Sequence, residues 1–343
     1  MPTSRPPSID HLLKTETVQQ WLEQFPRPQI VESLRNTVAA MRLQKEPDWK
    51  EQTLLDEASA RLQSLFQPSL RPVLNCTGTL LHTNLGRSPL SPRSLKQIWD
   101  VCSGYCNLEL DLASGKRGRR HDHIKGLLQQ ISGAPASLVV NNCAAAMLLI
   151  VDEFARGKEV VVSRGELVEI GGSFRIPEVL QRGGAQLVEV GTTNRTYLRD
   201  FERAISPETG MILSTHLSNF ALQGFVHQAS AQEIVALARQ HQVVSVFDLG
   251  SGLLESSALP QGWPEPSIRQ AIADDWDLVA FSGDKLLGSA QAGIILGKAE
   301  LIERLERNPW MRALRLDKLR LAALQGSLLD HMLCPSQIPL WSM

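Results

Sequence analysis

Neither an excess of charge, nor paired cysteines, nor a long apolar run marks this sequence, and each absence closes off a class of function. The formal net charge is -1, so no global electrostatic pull toward polyanions or anionic membranes exists; any such partner has to be met by a local basic surface. Five cysteines, Cys76, Cys102, Cys106, Cys143 and Cys334, are an odd number. They show neither CxxC spacing nor a histidine at zinc-finger distance, which predicts no metal site, reduced thiols and a cytoplasmic location. The opening MPTSRPPSIDHLLK lacks the apolar core of a signal peptide, and no apolar stretch reaches the length of a membrane span. No internal repeat or low-complexity segment stands out.

What is there suffices for a large core: 343 residues, 43% apolar and 21% charged, predict one large domain with smaller attachments. From Ser8 to about Gln67 apolar residues recur at helical spacing, as in Leu12, Leu13, Val18, Trp21 and Leu22, then Leu54, Leu55, Ala58, Leu62 and Leu65. Pro26, Pro28 and Pro47 divide this into short helices, giving a small helical domain over residues 1–70. It carries eight Lys and Arg against nine Asp and Glu, hence no basic stripe.

Over residues 71–298 the pattern becomes short Val- and Ile-rich runs, among them SLVVNN, EVVVSRG, QLVEVG, GMILSTH, VVSVFDLG and LVAFSGDK. They alternate with amphipathic stretches such as QEIVALARQHQ, which predicts parallel strands with crossover helices, an α/β domain whose ligands bind where strands end. Residues 299–343 read as one helix, KAELIERLERN, and a second, WMRALRLDKLRLAALQGSLLDHM, before CPSQIPLWSM, a run with two prolines and no recognisable element.

The strongest chemical signal runs from Phe281 to Gly288, FSGDKLLG, after the apolar strand DLVAF. A lysine at a strand end among small residues is where an amine can be partly desolvated and held as a Schiff base to an aldehyde cofactor, the role open to Lys285. Ser282 can offer a hydroxyl to a cofactor phosphate. An ordinary surface lysine in a hairpin turn is the alternative. The run from Val246 to Gly252, VFDLGSG, places Asp248 where an acid pairs with a pyridinium nitrogen and keeps it protonated. A turn or cap acid is the other reading. The ordered pair, Asp248 and then Lys285 37 residues later, favours the cofactor.

In VVNNCAAA a strand passes into a helix, so the amides at Asn142, Cys143 and Ala144 are placed to receive a phosphate, unless Asn142 merely caps the helix. Cys143 has no basic sequence neighbour and reads as a small buried residue, not a nucleophile. His216, in THLSN after another strand, is within reach of a ring or is a structural histidine. In the glycine-rich run from Arg164 to Arg175 individual roles stay open. Two basic clusters remain: Lys116, Arg117, Arg119, Arg120, His121, His123 and Lys125, then Arg312, Arg315, Lys318 and Arg320. Arg312 and Arg315, three apart on an expected helix, project from one face and can clamp a tetrahedral anion.

Four strings, VLNCTGTLLHTNLGR (73–87), the run from Val160 to Pro177, VGTTNR (190–195) and FSGDKLLG (281–288), resemble bacterial selenocysteine synthase, L-seryl-tRNA(Sec) selenium transferase, and the resemblance runs from the helical N-terminal domain to about Gln325. It implies a fold-type-I pyridoxal 5'-phosphate enzyme in a ring-shaped homo-oligomer. The N-terminal domain is then expected to recognise the tRNA. Seryl-tRNA(Sec) and selenophosphate are the implied substrates, joined through an aminoacrylate. By the same carry-over Lys285 binds the cofactor, Asp284 is essential, and Arg87, Arg312 and Arg315 bind the selenium donor. The sequence departs from the family at Ser289-Ala290, where Gly-Pro is usual, at Asn141-Asn142-Cys143, where a third Asn is common, and at CPSQIPLWSM. There the family continues into a C-terminal domain of on the order of a hundred residues, so residues 299–343 read as the start of a truncated domain whose absence leaves apolar surface on the last helix. Two other readings stay open: a lysine-aldehyde enzyme acting on a free amino acid, and a non-catalytic homologue.

Overall fold

Each of the apolar Val- and Ile-rich runs becomes a strand in the computed structural model, which describes residues 5–170, 174–256, 259 and 265–343. The chain divides into two units, Met1–Leu74 and Asn75–Met343.

The first unit is helical: α1 (Ile9–Leu12), α2 (Glu16–Gln24), α3 (Arg27–Arg42) and α4 (Glu51–Phe66). Ser8 and Thr15 cap α1 and α2 by accepting amides of the first turn, and Pro28 sits where its missing N–H is harmless. Leu12, Val18, Ile30, Leu34, Met41, Leu54, Ala58 and Leu62 form a core of their own. Ser33 Oγ donates to Ala58 O at 2.8 Å, tying α3 to α4.

The second unit is built on a mixed sheet. Its strands are β1 (Ala136–Val140), β2 (Glu159–Ser163), β5 (Gln186–Val190), β6 (Thr209–Thr215), β7 (Val244–Gly250), β8 (Leu278–Ser282) and β9 (Gly293–Gly297), in the order β1-β9-β8-β7-β6-β2-β5; β3 (Glu169–Ile170) and β4 (Phe174–Arg175) pair separately. Helices α5 (Pro92–Cys102), α6 (Asp122–Ser132), α7 (Cys143–Phe154), α8 (Ile176–Arg182), α9 (Leu198–Ala204), α10 (Ala231–Gln240), α11 (Ile268–Ala273), α12 (Ala299–Arg307), α13 (Met311–Leu314) and α14 (Lys318–Leu333) complete it. Residues from α6, α9, α10, α11 and α14 share one core with Val139, Val161, Ile212 and Val279. Those of α7, α8 and α12 share another with Leu138, Val160, Leu213 and Leu278. Neighbouring strand residues thus face opposite cores, which is why these strands read as unbroken apolar runs.

The expectation of parallel strands fails at β9, which runs antiparallel to both β1 and β8. Only residues 283–292 join β8 to β9, too few for a crossover helix. As a result β1, β6, β7 and β8 all end at one edge of the sheet, with Gly293 at the start of β9 between Val140 and Ser282.

Residues 299–343, expected as the start of another domain, belong to this second unit. The reason is apolar: Leu321, Leu324 and Leu328 of α14 lie in the same core as the sheet, while Leu319, Met332 and Leu333 stay exposed. Two further expectations need correction. The long second helix breaks at Arg315, because Asp317 caps α14 by accepting the amides of Leu319 and Arg320. The final run is not featureless: Pro335–Gln337 and Pro339–Ser342 form 3-10 turns that bury Ile338 and Leu340. Among the described residues no helix is long and apolar enough to cross a membrane.

Candidate active site

Lys285 sits in the turn that leaves β8. Gly283 N donates to Ala292 O at 2.9 Å, Leu286 N to Ser251 O at 2.8 Å and Ser289 N to Gly283 O at 2.9 Å, so the turn is tied to the start of β9 and to the end of β7. Gly252 (φ +75°) lets these turns touch, since a methyl there would lie 2.7 Å from Ser282 O. A methyl on Gly250 would lie 3.8 Å from Asp248 Oδ1 and 4.0 Å from Lys285 Nζ. One small space is therefore bordered by both the acid and the amine. Asp248 is buried, and burial raises its carboxyl above the ordinary 3.8 while the charge of Lys285 pulls the other way. A buried carboxylate in this state gains from a second cation, which a protonated ring nitrogen provides.

Beside this pair lies the strand-to-helix turn. Asn142 Oδ1 accepts from Ala145 N at 2.8 Å and caps α7, so the capping alternative is real. The cap does not exclude the phosphate reading, because the amides of Cys143 and Ala144 head the same twelve-residue helix. Gly293 is required there: a methyl would lie 2.0 Å from Asn142 O. Cys143 Sγ donates to Asp248 Oδ1 at 3.5 Å. Desolvation first, then the charge of Asp248, push the thiol well above its usual 9.0, so it stays protonated, a donor and not a nucleophile. Ser282 is buried at the end of β8, level with Gly293.

His216 follows β6 on the same edge. Its amide donates to Asp248 O at 3.0 Å, and its Nε2 lies 3.2 Å from Glu265 Oε2. Burial would raise Glu265, but the hydrogen bond from His216 and the nearby charges outweigh it and hold the carboxyl below 4.5. Glu265 carries no sequence signal beyond its place between two prolines, and sequence reasoning missed it. Glu166, at the head of the glycine-rich run, was likewise without a role. It is buried, and its Oε2 accepts Thr215 N at 2.9 Å, next to His216. Residues 171–173 of that run lie outside the described residues.

Burial drives the Glu166 carboxyl from 4.5 up to about 7, against the Thr215 amide and Ser214 hydroxyl. Because the folded value is the higher one, its protonated form stabilises the fold. That contribution is fully present below 4.5 and lost as pH rises through about 7, a span of roughly 3 kcal/mol. Melting curves at about pH 5 and about pH 8 should show wild type losing more stability on the way up than Glu166→Gln. Identical pH dependence in the two proteins contradicts the assignment.

The expected anion-binding arginines do not converge within one chain. Arg87, at φ +61°, places Nη1 3.0 Å and 3.2 Å from the two oxygens of Asp284, and Ser88 N donates to Asp284 O at 3.2 Å. They border a cleft of about 430 Å³ with Thr83, Ser289 and Gln291. Arg312 and Arg315 border a different groove of about 230 Å³, with Arg117, Arg119 and Arg120. Arg315 is extended past the end of α13, so the pair does not share a helical face as expected. Its Nη1 is 3.6 Å from Glu109, which also pairs with Arg120. The segment nevertheless touches the strand-to-helix turn, as Asn141 N donates to Leu314 O at 2.9 Å.

The set of groups fits pyridoxal phosphate: an amine, a buried acid, a helix start with free amides, and two buried hydroxyls at the same edge, Thr215 Oγ1 and Ser289 Oγ, without partners among the described residues. Among the described residues no cluster of His, Cys, Asp or Glu forms a metal site.

Comparison with known proteins agrees. The profile of the L-seryl-tRNA selenium transferase family matches residues 73–337, and that of the selenocysteine synthase N terminus matches residues 7–42. The L-seryl-tRNA(Sec) selenium transferase of Geotalea daltonii is 46% identical over 94% of this chain and 71% of its own length. That of Geobacter sulfurreducens is 47% identical over 95% and 72%. Among solved structures, D-glucosaminate-6-phosphate ammonia-lyase superposes with a TM-score of 0.58 at 20% identity, covering 73% of this chain and 65% of that one. Aspartate aminotransferase from Thermus thermophilus gives 0.55 at 16%, covering 76% and 68%. The fold is therefore the fold-type-I α/β architecture these enzymes share.

Proposed function

Because the chain belongs to the L-seryl-tRNA selenium transferase family, we propose that it converts the serine of seryl-tRNA(Sec) into selenocysteine, with selenophosphate as donor and pyridoxal phosphate as cofactor. The observation that carries the chemistry is the shared border of Lys285 Nζ and Asp248 Oδ1 beside the start of α7. When bound there, pyridoxal phosphate supplies an electron sink for the charge that develops on the serine α-carbon.

The chain's own residues do the rest. Asp248 holds a positive charge at the ring nitrogen, and Cys143 donates to the same carboxylate and fixes its orientation. The amides of Cys143 and Ala144 hold the phosphate, with Ser282 beside them. Lys285 is the residue that would hold the cofactor's aldehyde, and its free amine would take the serine α-proton. Asp284 and Arg87 brace each other next to the lysine, which keeps the guanidinium pointed at the cleft where the donor is expected. The serine Cβ–O bond breaks and its hydroxyl leaves as water, selenium bonds to that carbon, and water cleaves the Se–P bond so that phosphate leaves. Arg312 and Arg315 complete the anion site in this reading, and the proposed ring of subunits is where their groove and the Arg87 cleft are brought to work together. The helical unit 1–74 recognises the tRNA, and the protein works in the cytoplasm.

Incubating the purified chain with seryl-tRNA(Sec), pyridoxal phosphate and selenophosphate should yield selenocysteinyl-tRNA(Sec). Cofactor binding without that product supports a non-catalytic homologue, and turnover of free serine supports a free-amino-acid enzyme.

A further inference from the structure

The residues at the end of the chain carry no motif, yet they are packed directly against the lysine turn. Ile338 is fully buried between the two 3-10 turns. A methyl on Gly288 (φ +72°) would lie 2.4 Å from Ile338 Cγ2 and 3.8 Å from Ser88 Oγ. The space a side chain at Gly288 would need is thus filled by Ile338. Close by stands Ser88, whose amide binds Asp284 O. Near the end of α14, His331 Nε2 lies 2.8 Å from Leu287 O. Burial holds the ring below its ordinary 6.5, so the neutral imidazole donates its Nε2–H. Leu287 itself is fully buried in the sheet core.

This backing is anchored. Arg93 Nε is 2.6 Å from Asp330 Oδ1, whose side chain is 1% exposed, and Ser94 Oγ donates to Ala323 O at 2.9 Å. Gly326 meets α5 so closely that a methyl there would lie 2.6 Å from Ser94 Cα. Backbone hydrogen bonds of the lysine turn fix Gly283, Leu286 and Ser289, and Gly288 N donates to Lys285 O at 2.9 Å, but the carbonyl of Leu287 is held by α14 alone among the described residues.

We propose that His331 and Ile338 are positioning residues, which grip the backbone at Leu287 and Gly288 and so set where Lys285 Nζ stands over the Asp248 end of the sheet. The inference rests on Lys285 as the cofactor lysine. A shift of about 1 Å at such an amine suffices to cost on the order of a hundredfold in rate.

Amide hydrogen exchange over residues 283–289 of the full chain without cofactor is the first readout. The second is the pH midpoint of the visible band formed with pyridoxal phosphate. His331→Leu should speed exchange in that segment about five- to tenfold with β6 unchanged, and should move the midpoint; His331→Gln, which keeps a donor, should restore most of both. Ile338→Ala should loosen the same segment with His331 intact, and it decides the matter if His331→Leu does not fold. Unchanged exchange over 283–289 in these variants, or a uniform rise through the whole chain, overturns the proposal. A wild-type protein that forms no band refutes the role of Lys285, while the exchange result still judges the grip.

Discussion

Lys285→Ala should abolish covalent trapping of pyridoxal phosphate and lower turnover by on the order of 10⁴-fold or more. Borohydride reduction followed by peptide mass analysis reads the first effect directly: wild type should carry the cofactor on the peptide containing Lys285, and the variant should carry none. The turn itself should survive, because its backbone bonds run through Gly283, Leu286 and Ser289 and not through the lysine side chain. The loss is then chemical and not a failure to fold. Lys285→Arg separates two contributions. It keeps a positive charge near Asp248, where the lysine charge opposes the upward pull of burial, but a guanidinium does not bond to an aldehyde under these conditions. Activity retained by the arginine variant, or an adduct that persists in the alanine variant, removes Lys285 from the mechanism.

Deletion of residues 1–66 should reduce turnover of seryl-tRNA(Sec) at least about a hundredfold, through lost binding energy remote from the reacting atoms, and leave trapping of the cofactor intact. The helical unit has its own core, and none of its described residues belongs to the two cores that flank the sheet. With eight basic residues against nine acidic over 1–70, this unit has to read its partner by shape and hydrogen bonding more than by net charge. Its contribution to affinity should therefore depend only weakly on salt. Equal tRNA turnover in the shortened chain would assign recognition elsewhere, to the basic groove around Arg117, Arg120 and Arg312 first.

The architecture was open to reading because both faces of the sheet are covered, which forces each strand to be apolar throughout and each crossover helix to be amphipathic. The runs around Val139, Val161, Ile212, Val246 and Val279 carry that signal in the chain itself. Less visible was the reversal of β9, which depends on the shortness of a connection and not on the composition of the strand. The break at Arg315 had a local cause in Asp317, but the apolar periodicity on either side of it reads straight through. Ile338 looked unremarkable because a single buried side chain between prolines makes no pattern.

The sequence by itself determined which residues hold reactive groups: an amine at Lys285 among small neighbours, an acid at Asp248, a capped helix start at Asn142. Such features arise within a few residues, since turns, caps and strand ends are local. Only the tertiary structure decided that these three stand at one edge of the sheet, that Arg87 braces Asp284 while Arg312 and Arg315 line another groove, and that His331 and Ile338 close on the lysine turn. Those relations join residues far apart in the chain, and they are set by strand order and side-chain packing, for which no short stretch of sequence carries a code.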